Sequence, residues 1–365
     1  MEWLVLAGTL LLAYVNGAND NMKGVATLYG SGALRYGPAL ALATVSTALG
    51  SLASIALAAG LVSAFSAKGL VPDALLTPEY LAAVALAASA TVLLATRLGF
   101  PVSTTHALVG ALAGAGALAA GPELRLGVLG NVFLLPLLAG PFLGLAFAFA
   151  LDRAGTALGA LAGASRETCV CVEGETPFAI ADGDAASVAA PGLGLVIAHR
   201  SECAGARDAR RFGIEVGRLL DWGHLASASS VGFARGLNDT PKLLGLLAGS
   251  SVVAPALGVS AIAAAMAVGG LVAARRVAET LAKKITPMSA AQGFSANAAT
   301  ALLVASASQL GLPVSTTHVS TGGIFGIGAS GRGLRRRMAA EVVLAWIATL
   351  PTAALLGLCA MWALR

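Results

Sequence analysis

Pro101-Val102-Ser103-Thr104-Thr105-His106 recurs without change as Pro313-Val314-Ser315-Thr316-Thr317-His318, an offset of 212 positions. A second pair keeps step with it. Gly17-Ala18-Asn19-Asp20-Asn21-Met22-Lys23 has a near copy in Gly236-Leu237-Asn238-Asp239-Thr240-Pro241-Lys242, offset by 219. Two different motifs in the same order at nearly the same spacing describe an internal repeat. The chain accordingly divides into a first repeat over 1–151, a mixed polar segment over 152–211 and a second repeat over 212–365.

Both repeats are apolar. Of 365 residues 57% are hydrophobic and only 11% charged, whereas soluble domains carry about 25% charged residues. Apolar stretches near the roughly 20 residues needed to cross a bilayer recur along nearly the whole chain, so an all-α, polytopic membrane protein is expected. The net charge of +5 resides in loops between apolar runs, which the positive-inside rule explains without nucleic acid.

About ten crossings are predicted. In the first half they are Trp3 to Tyr29 with a break at the Asn-Asp motif, Ala39 to Phe65, Tyr80 to Thr96, Ala107 to Ala120 and Leu126 to Leu151. In the second they are Phe212 to Ser250, broken at the second Asn-Asp, then Val252 to Ala274, Met288 to Leu310, Gly322 to Ala329 and Val342 to Leu364. The proline and hydroxyl runs read as helix breaks or re-entrant hairpins, tolerated at membrane depth only where protein or a water-filled cavity satisfies the backbone. If the basic stretches at Arg35, 152–211, Arg275 to Lys284 and Arg332 to Arg337 are cytoplasmic, both termini lie outside and each half crosses five times. An odd number inverts the second half. Binding sites of two-repeat transporters lie near the midplane where the repeats meet.

The motif chemistry points to an anion held together with cations. Ser103, Thr104, Thr105, Ser315, Thr316 and Thr317 supply hydroxyl donors. At a helix break the freed N–H groups and positive dipole end suit a tetrahedral oxyanion. Ser and Thr can instead bond back to helix carbonyls, but two identical copies after proline favour the binding role. Asp20 and Asp239 would repel such an anion, so cations must enter too. Asn19 with Asp20, and Asn238 with Asp239, are candidate hard-oxygen ligands for Na+; the Asn pair is also a candidate for the anion. Alternatively Lys23 and Lys242, three residues on and on the same helix face, neutralise each Asp. Those lysines, His106 and His318 after the hydroxyl runs, and Gln292 and Asn297 before the second run are secondary candidates. Histidine could carry a coupled proton or fix the hairpin through a hydrogen bond. Cys169, Cys171 and Cys203 share the polar segment with His199; Cys-x-Cys alone is a weak metal signal, and reduced thiols are the default.

Gly-Ala-Asn-Asp and Gly-Leu-Asn-Asp, each followed three residues on by Lys, together with the two Pro-Val-Ser-Thr-Thr-His elements, resemble the PiT family of inorganic phosphate transporters. The likeness covers both apolar halves, and Gly293-Phe294-Ser295-Ala296-Asn297 is similar to the family pattern as well. It implies uptake of phosphate coupled to Na+ or H+ by alternating access across the cell membrane. Both Asn-Asp motifs and both Ser-Thr-Thr hairpins would form the site, with no other cofactor and no enzymatic activity. A homo-oligomer is compatible with this reading. Sulfate, another tetrahedral oxyanion, is the alternative substrate, and an anion channel the alternative class. The Arg166 to Arg211 stretch resembles nothing identifiable.

Overall fold

The computed structural model describes residues 1–67, 69–174, 179–182, 185–188, 193–199, 210–248, 253–331 and 333–365, with 171–214 as backbone alone. It falls into two compact units, one built from Met1–Asp152 and His224–Arg365, the other from Arg153–Gly223.

The larger unit is helical. Its first part comprises α1 (Glu2–Asp20), α2 (Ala26–Gly30), α3 (Tyr36–Leu57), α4 (Ala59–Phe65), α5 (Pro78–Leu98), α6 (Thr104–Ala120), α7 (Leu126–Val128) and α8 (Leu135–Leu161) up to Asp152. Its second part comprises α9 (Val216–Leu247) from His224 on, α10 (Pro255–Ala273), α11 (Arg275–Glu279), α12 (Ala290–Gln309), α13 (Thr316–Ser330) and α14 (Arg336–Leu364). Among the described residues six helical stretches are long and apolar enough to cross a membrane: Tyr36–Leu57, Pro78–Leu98, Thr104–Glu123, Leu126–Leu161, Pro255–Ala273 and Arg336–Leu364. Helices α1, α9 and α12 carry polar residues of the repeated motifs or next to them, and they are not among the six. Large apolar side chains such as Phe142, Val272, Leu344 and Trp362 face outward. This is the surface a bilayer, rather than water, accommodates.

Capping chemistry sets the hairpins. Thr77 caps α5 by accepting from the Tyr80 N–H, with Pro78 in the first turn, where its missing N–H costs nothing. Gly99 closes the helix in the left-handed region at φ 79°. Gly311 does the same after α12 at φ 68°. Ser103 and Ser315 then start α6 and α13, their Oγ atoms accepting from the N–H groups of His106 at 3.0 Å and His318 at 3.1 Å.

The two Asn-Asp motifs differ, contrary to the expectation of a break at each. In the first, α1 runs through Asn19-Asp20 and ends there; a tight turn follows, with the Lys23 N–H on the Asp20 carbonyl and the Val25 N–H on the Met22 carbonyl. This turn presses on α9, since a Cβ on Gly24 would meet Ala228 O at 2.9 Å. In the second, α9 continues through Asn238-Asp239 and past Pro241 without a break. The Ala39 to Phe65 stretch is also divided, at Ala58, between α3 and α4.

Close helix crossings exchange partners between the halves. A Cβ on Gly17 of α1 would lie 1.9 Å from Met266 O of α10, and one on Gly236 of α9 would lie 2.1 Å from Thr47 O of α3. Gly269 meets Tyr14 O and Gly50 meets Phe233 O in the same way. Only glycine allows backbones to approach this closely.

The all-helical expectation does not extend to the smaller unit, which contains five strands among its described residues: β1 (Thr168–Gly174), β2 (Ala179–Asp182), β3 (Ala185–Val188), β4 (Leu193–His199) and β5 (Arg210–Glu215). They form an antiparallel β4-β1-β5 sheet and a β2-β3 hairpin. Runs such as Thr168-Cys169-Val170-Cys171-Val172 are β-branched and too short for a helix. Because β5 extends to Glu215, the helical part of the Phe212 stretch begins at Val216. Register places Thr168 opposite His199 and Cys169 opposite Ala198; Cys203 lies outside the described residues.

A Gly17→Val or Gly236→Val substitution drives a branched side chain into facing backbone. Overpacking typically costs about 1–3 kcal/mol, and backbone cannot yield as a side chain does. We expect either variant to lose the monodisperse peak in detergent gel filtration while Gly37→Val, at a position open to solvent or lipid, keeps it.

Candidate functional site

The polar ends of α1, α6 and α13 and the Arg235 to Lys242 stretch of α9 meet in the interior of the helical unit. Asp20, Lys23, Arg235, Asp239 and Lys242 are all buried, at 0–4% exposure. The Lys23 ammonium donates to Asp20 Oδ1 and Thr317 Oγ1, and to the Val102 carbonyl at 3.3 Å. Lys242 donates to Thr105 Oγ1 at 2.8 Å and the Val314 carbonyl at 2.6 Å, with Asp239 Oδ1 at 3.6 Å. Every partner of one lysine is the counterpart, in the other repeat or its own, of a partner of the second. Arg235 Nε lies 3.6 Å from Asp239 Oδ2, and its other nitrogens reach Asn16 Oδ1 at 2.7 Å, Asn21 Oδ1 at 3.1 Å and Thr47 Oγ1 at 3.2 Å.

The asparagines fasten the hairpins to the long helices. Asn19 holds Thr96 Oγ1 and the Phe100 carbonyl with its Nδ2, and accepts from the Val102 N–H. Asn238 holds Thr316 Oγ1 and the Val314 carbonyl, and accepts from Ser308. Asn16 Nδ2 lies within reach of Asp20 Oδ2, Thr104 Oγ1 and Asp239 Oδ2, at 3.0–3.2 Å.

The hydroxyl runs face each other. Thr317 Oγ1 donates to the Val102 carbonyl at 2.8 Å and Thr105 Oγ1 to the Val314 carbonyl at 3.3 Å. The N-termini of α6 and α13 therefore converge, and first-turn N–H groups at such ends have no intrahelical partner. Beside them the His106 and His318 rings pack edge to face at 4.2 Å. The Trp346 ring lies tilted against His318 with centroids 4.1 Å apart and donates to the Pro101 carbonyl at 3.0 Å. Among the described residues His106 Nδ1 and His318 Nε2 make no hydrogen bond, while the Ser103 and Ser315 hydroxyls cap the two hairpin helices.

A profile of the phosphate transporter family matches residues 16–357. The chain belongs to that family. It is 29% identical to a putative phosphate permease of Chlamydia pneumoniae, over 96% of this chain and 95% of the relative. It is equally similar to a probable low-affinity inorganic phosphate transporter of Mycobacterium tuberculosis strain H37Rv, over 97% of this chain and 75% of the relative. A solved structure described as the sodium-dependent phosphate transporter shares the fold, with a TM-score of 0.75, 21% identity and coverage of 100% and 98%. The family and these relatives are transporters, not enzymes, and with six apolar helices the chain is a multi-pass membrane protein.

In this phosphate transporter family chain, all the Asn-Asp, Lys, Ser-Thr-Thr and His candidates come together, whereas the two candidates before the second hairpin do not. Gln292 is half-buried and closes a capping box with Ser289. Asn297 donates to Thr27 Oγ1 at 2.8 Å, beside His224 Nε2 at 2.9 Å from the same oxygen. Asn16 and Arg235 were not singled out from the sequence. Yet each lies one helical turn before its Asp, and they occupy equivalent positions at the offset of 219.

The cluster carries three cations and two carboxylates, a balance of +1. Two unit charges 4 Å apart interact by about 4 kcal/mol at an effective dielectric near 20, so a buried site of this sign attracts an anion and opposes further cations. Removing one partner of a buried pair costs on the order of 3–5 kcal/mol. We expect Arg235→Met to lower the melting temperature in detergent sharply, and Arg235→Met with Asp239→Asn to recover part of the loss. A melting temperature equal to the parent's would contradict the assigned pairing.

Proposed function

We propose that this chain carries inorganic phosphate across the cell membrane by alternating access, coupled to a cation, either Na+ or H+, with the oxyanion held between the first turns of α6 and α13. The observation that carries this reading is the convergence of two helix N-termini, each opening with Ser-Thr-Thr, on a buried cluster of net positive charge. N–H groups at a helix start, threonine hydroxyls and the ammonium and guanidinium groups are the donors that tetrahedral oxyanions require. Permease relatives over nearly the full chain support phosphate as the substrate.

The way the halves are tied supports alternating access. Each lysine bridges a hairpin of the other repeat, so a tilt of one repeat against the other would exchange those bonds while the central anion stays put. We further propose that the repeats are of inverted topology, with five crossings each and both termini outside. Sulfate is the competing oxyanion. Phosphate near neutral pH still carries a proton that an acceptor such as Asp20 or Asp239 can receive, which sulfate lacks.

Two measurements test the reading. In proteoliposomes, labelled phosphate should accumulate, and excess unlabelled phosphate should block it more effectively than sulfate; the reverse order would reassign the substrate. Thr105→Val and Thr317→Val each remove one hydroxyl, worth about 1 kcal/mol or somewhat more toward a charged partner, and should raise the half-saturating phosphate concentration about five- to tenfold. Asp20→Asn and Asp239→Asn should each impair uptake while leaving membrane insertion intact.

A further inference from the structure

The two lysines stand in surroundings that oxygen-ligated cations prefer. Around Lys23 Nζ are a carboxylate oxygen of Asp20, the Val102 carbonyl oxygen and the Thr317 hydroxyl. Around Lys242 Nζ are a carboxylate oxygen of Asp239, the Val314 carbonyl oxygen and the Thr105 hydroxyl. Each set holds one carboxylate, one carbonyl and one hydroxyl, all hard oxygen donors of the kind that bind small unsoftened cations. An ammonium has three N–H donors and no acceptor, and each lysine meets three oxygens. Both groups are fully enclosed, with 1% of each residue exposed.

We propose that the Lys23 and Lys242 ammonium groups fill the two places where coupling cations would be liganded, so that oxyanion binding and transport by this chain need no Na+. The inference rests on the reading of this cluster as the oxyanion site, and it narrows the coupling left open there. Charge balance supports it. With Arg235 beside Asp239, the five side chains already sum to +1 before any ion enters. A monovalent oxyanion brings that to zero and a divalent one to −1. Two Na+ ions in addition would leave +2 or +1 in an enclosed site, and each would have to displace an ammonium that cannot diffuse away. A tethered cation also occupies its cage at any external salt concentration.

The site gains a specific consequence for substitution. Shortening either lysine to alanine leaves its three oxygens facing an empty volume of one ammonium, with a carboxylate at its edge. Such a cage lacks one charge and has the donor set for a diffusible cation.

The test uses the full chain. Labelled phosphate uptake into proteoliposomes is measured with Na+ outside and with choline in its place, at equal pH and membrane potential. Initial rates within twofold of each other are expected, and a larger fall in choline overturns the proposal. In parallel, the melting temperature of the detergent-purified protein is followed while NaCl replaces choline chloride. The parent should show no Na+-specific rise, whereas Lys23→Ala and Lys242→Ala should each gain one. A Na+-specific rise in the parent, or folded variants that ignore Na+, would overturn the assignment. Absence of uptake in both media would instead mark the failure of the phosphate-transport reading, with the melting series still deciding the question of the cation. The parent measurements stand whether or not the variants fold.

Discussion

Everything in the helical unit is arranged around the enclosure of Asp20 and Asp239 in a place that water does not reach. An isolated buried carboxylate would cost several kcal/mol even after relaxation, so each requires cations close by. Lys23, Arg235 and Lys242 supply them, and Asn16 bridges the two carboxylates through one amide. The repeated hairpins then follow from the lysines. Thr317, Val102, Thr105 and Val314 sit where they do because two ammonium groups need their oxygens.

The same bonds tie the halves into one body. Lys23 reaches into the second repeat at Thr317, Lys242 reaches into the first at Thr105, and Arg235 reaches Asn16, Asn21 and Thr47. Glycines at 17, 50, 236 and 269 permit the corresponding exchange of helices, α1 against α10 and α9 against α3. A polar network of this kind would be strongly destabilising if half satisfied. Its near-complete pairing lets so many hydrophilic groups persist inside an apolar bundle.

The smaller unit follows different physics. Its composition is mixed and its strands short, with β1 shared between β4 and β5. The strand signal over Thr168–Gly174 is only a short apolar run, Cys169 to Val172, which periodicity alone does not tell from a helix segment.

Much of the site is legible because it is written twice. Identical Pro-Val-Ser-Thr-Thr-His runs and paired Asn-Asp motifs single out Asn19, Asp20, Ser103 to His106 and their counterparts without any coordinates, and polar residues are too costly in apolar segments to persist there without a role. Asn16 and Arg235 escape because the repeat is degenerate there: an amide stands in one half where a guanidinium stands in the other. Gln292 and Asn297 are near the hairpin in sequence yet point into a cap and toward Thr27 and His224. Chain proximity could not reveal this. By itself the sequence determined membrane class, duplication and the residues that must be solvated by protein. Each carboxylate finds its cations three or four residues away, as local spacing allows; only the tertiary structure decided which hydroxyl each lysine meets, because those partners lie up to 294 positions apart and are chosen by helix packing.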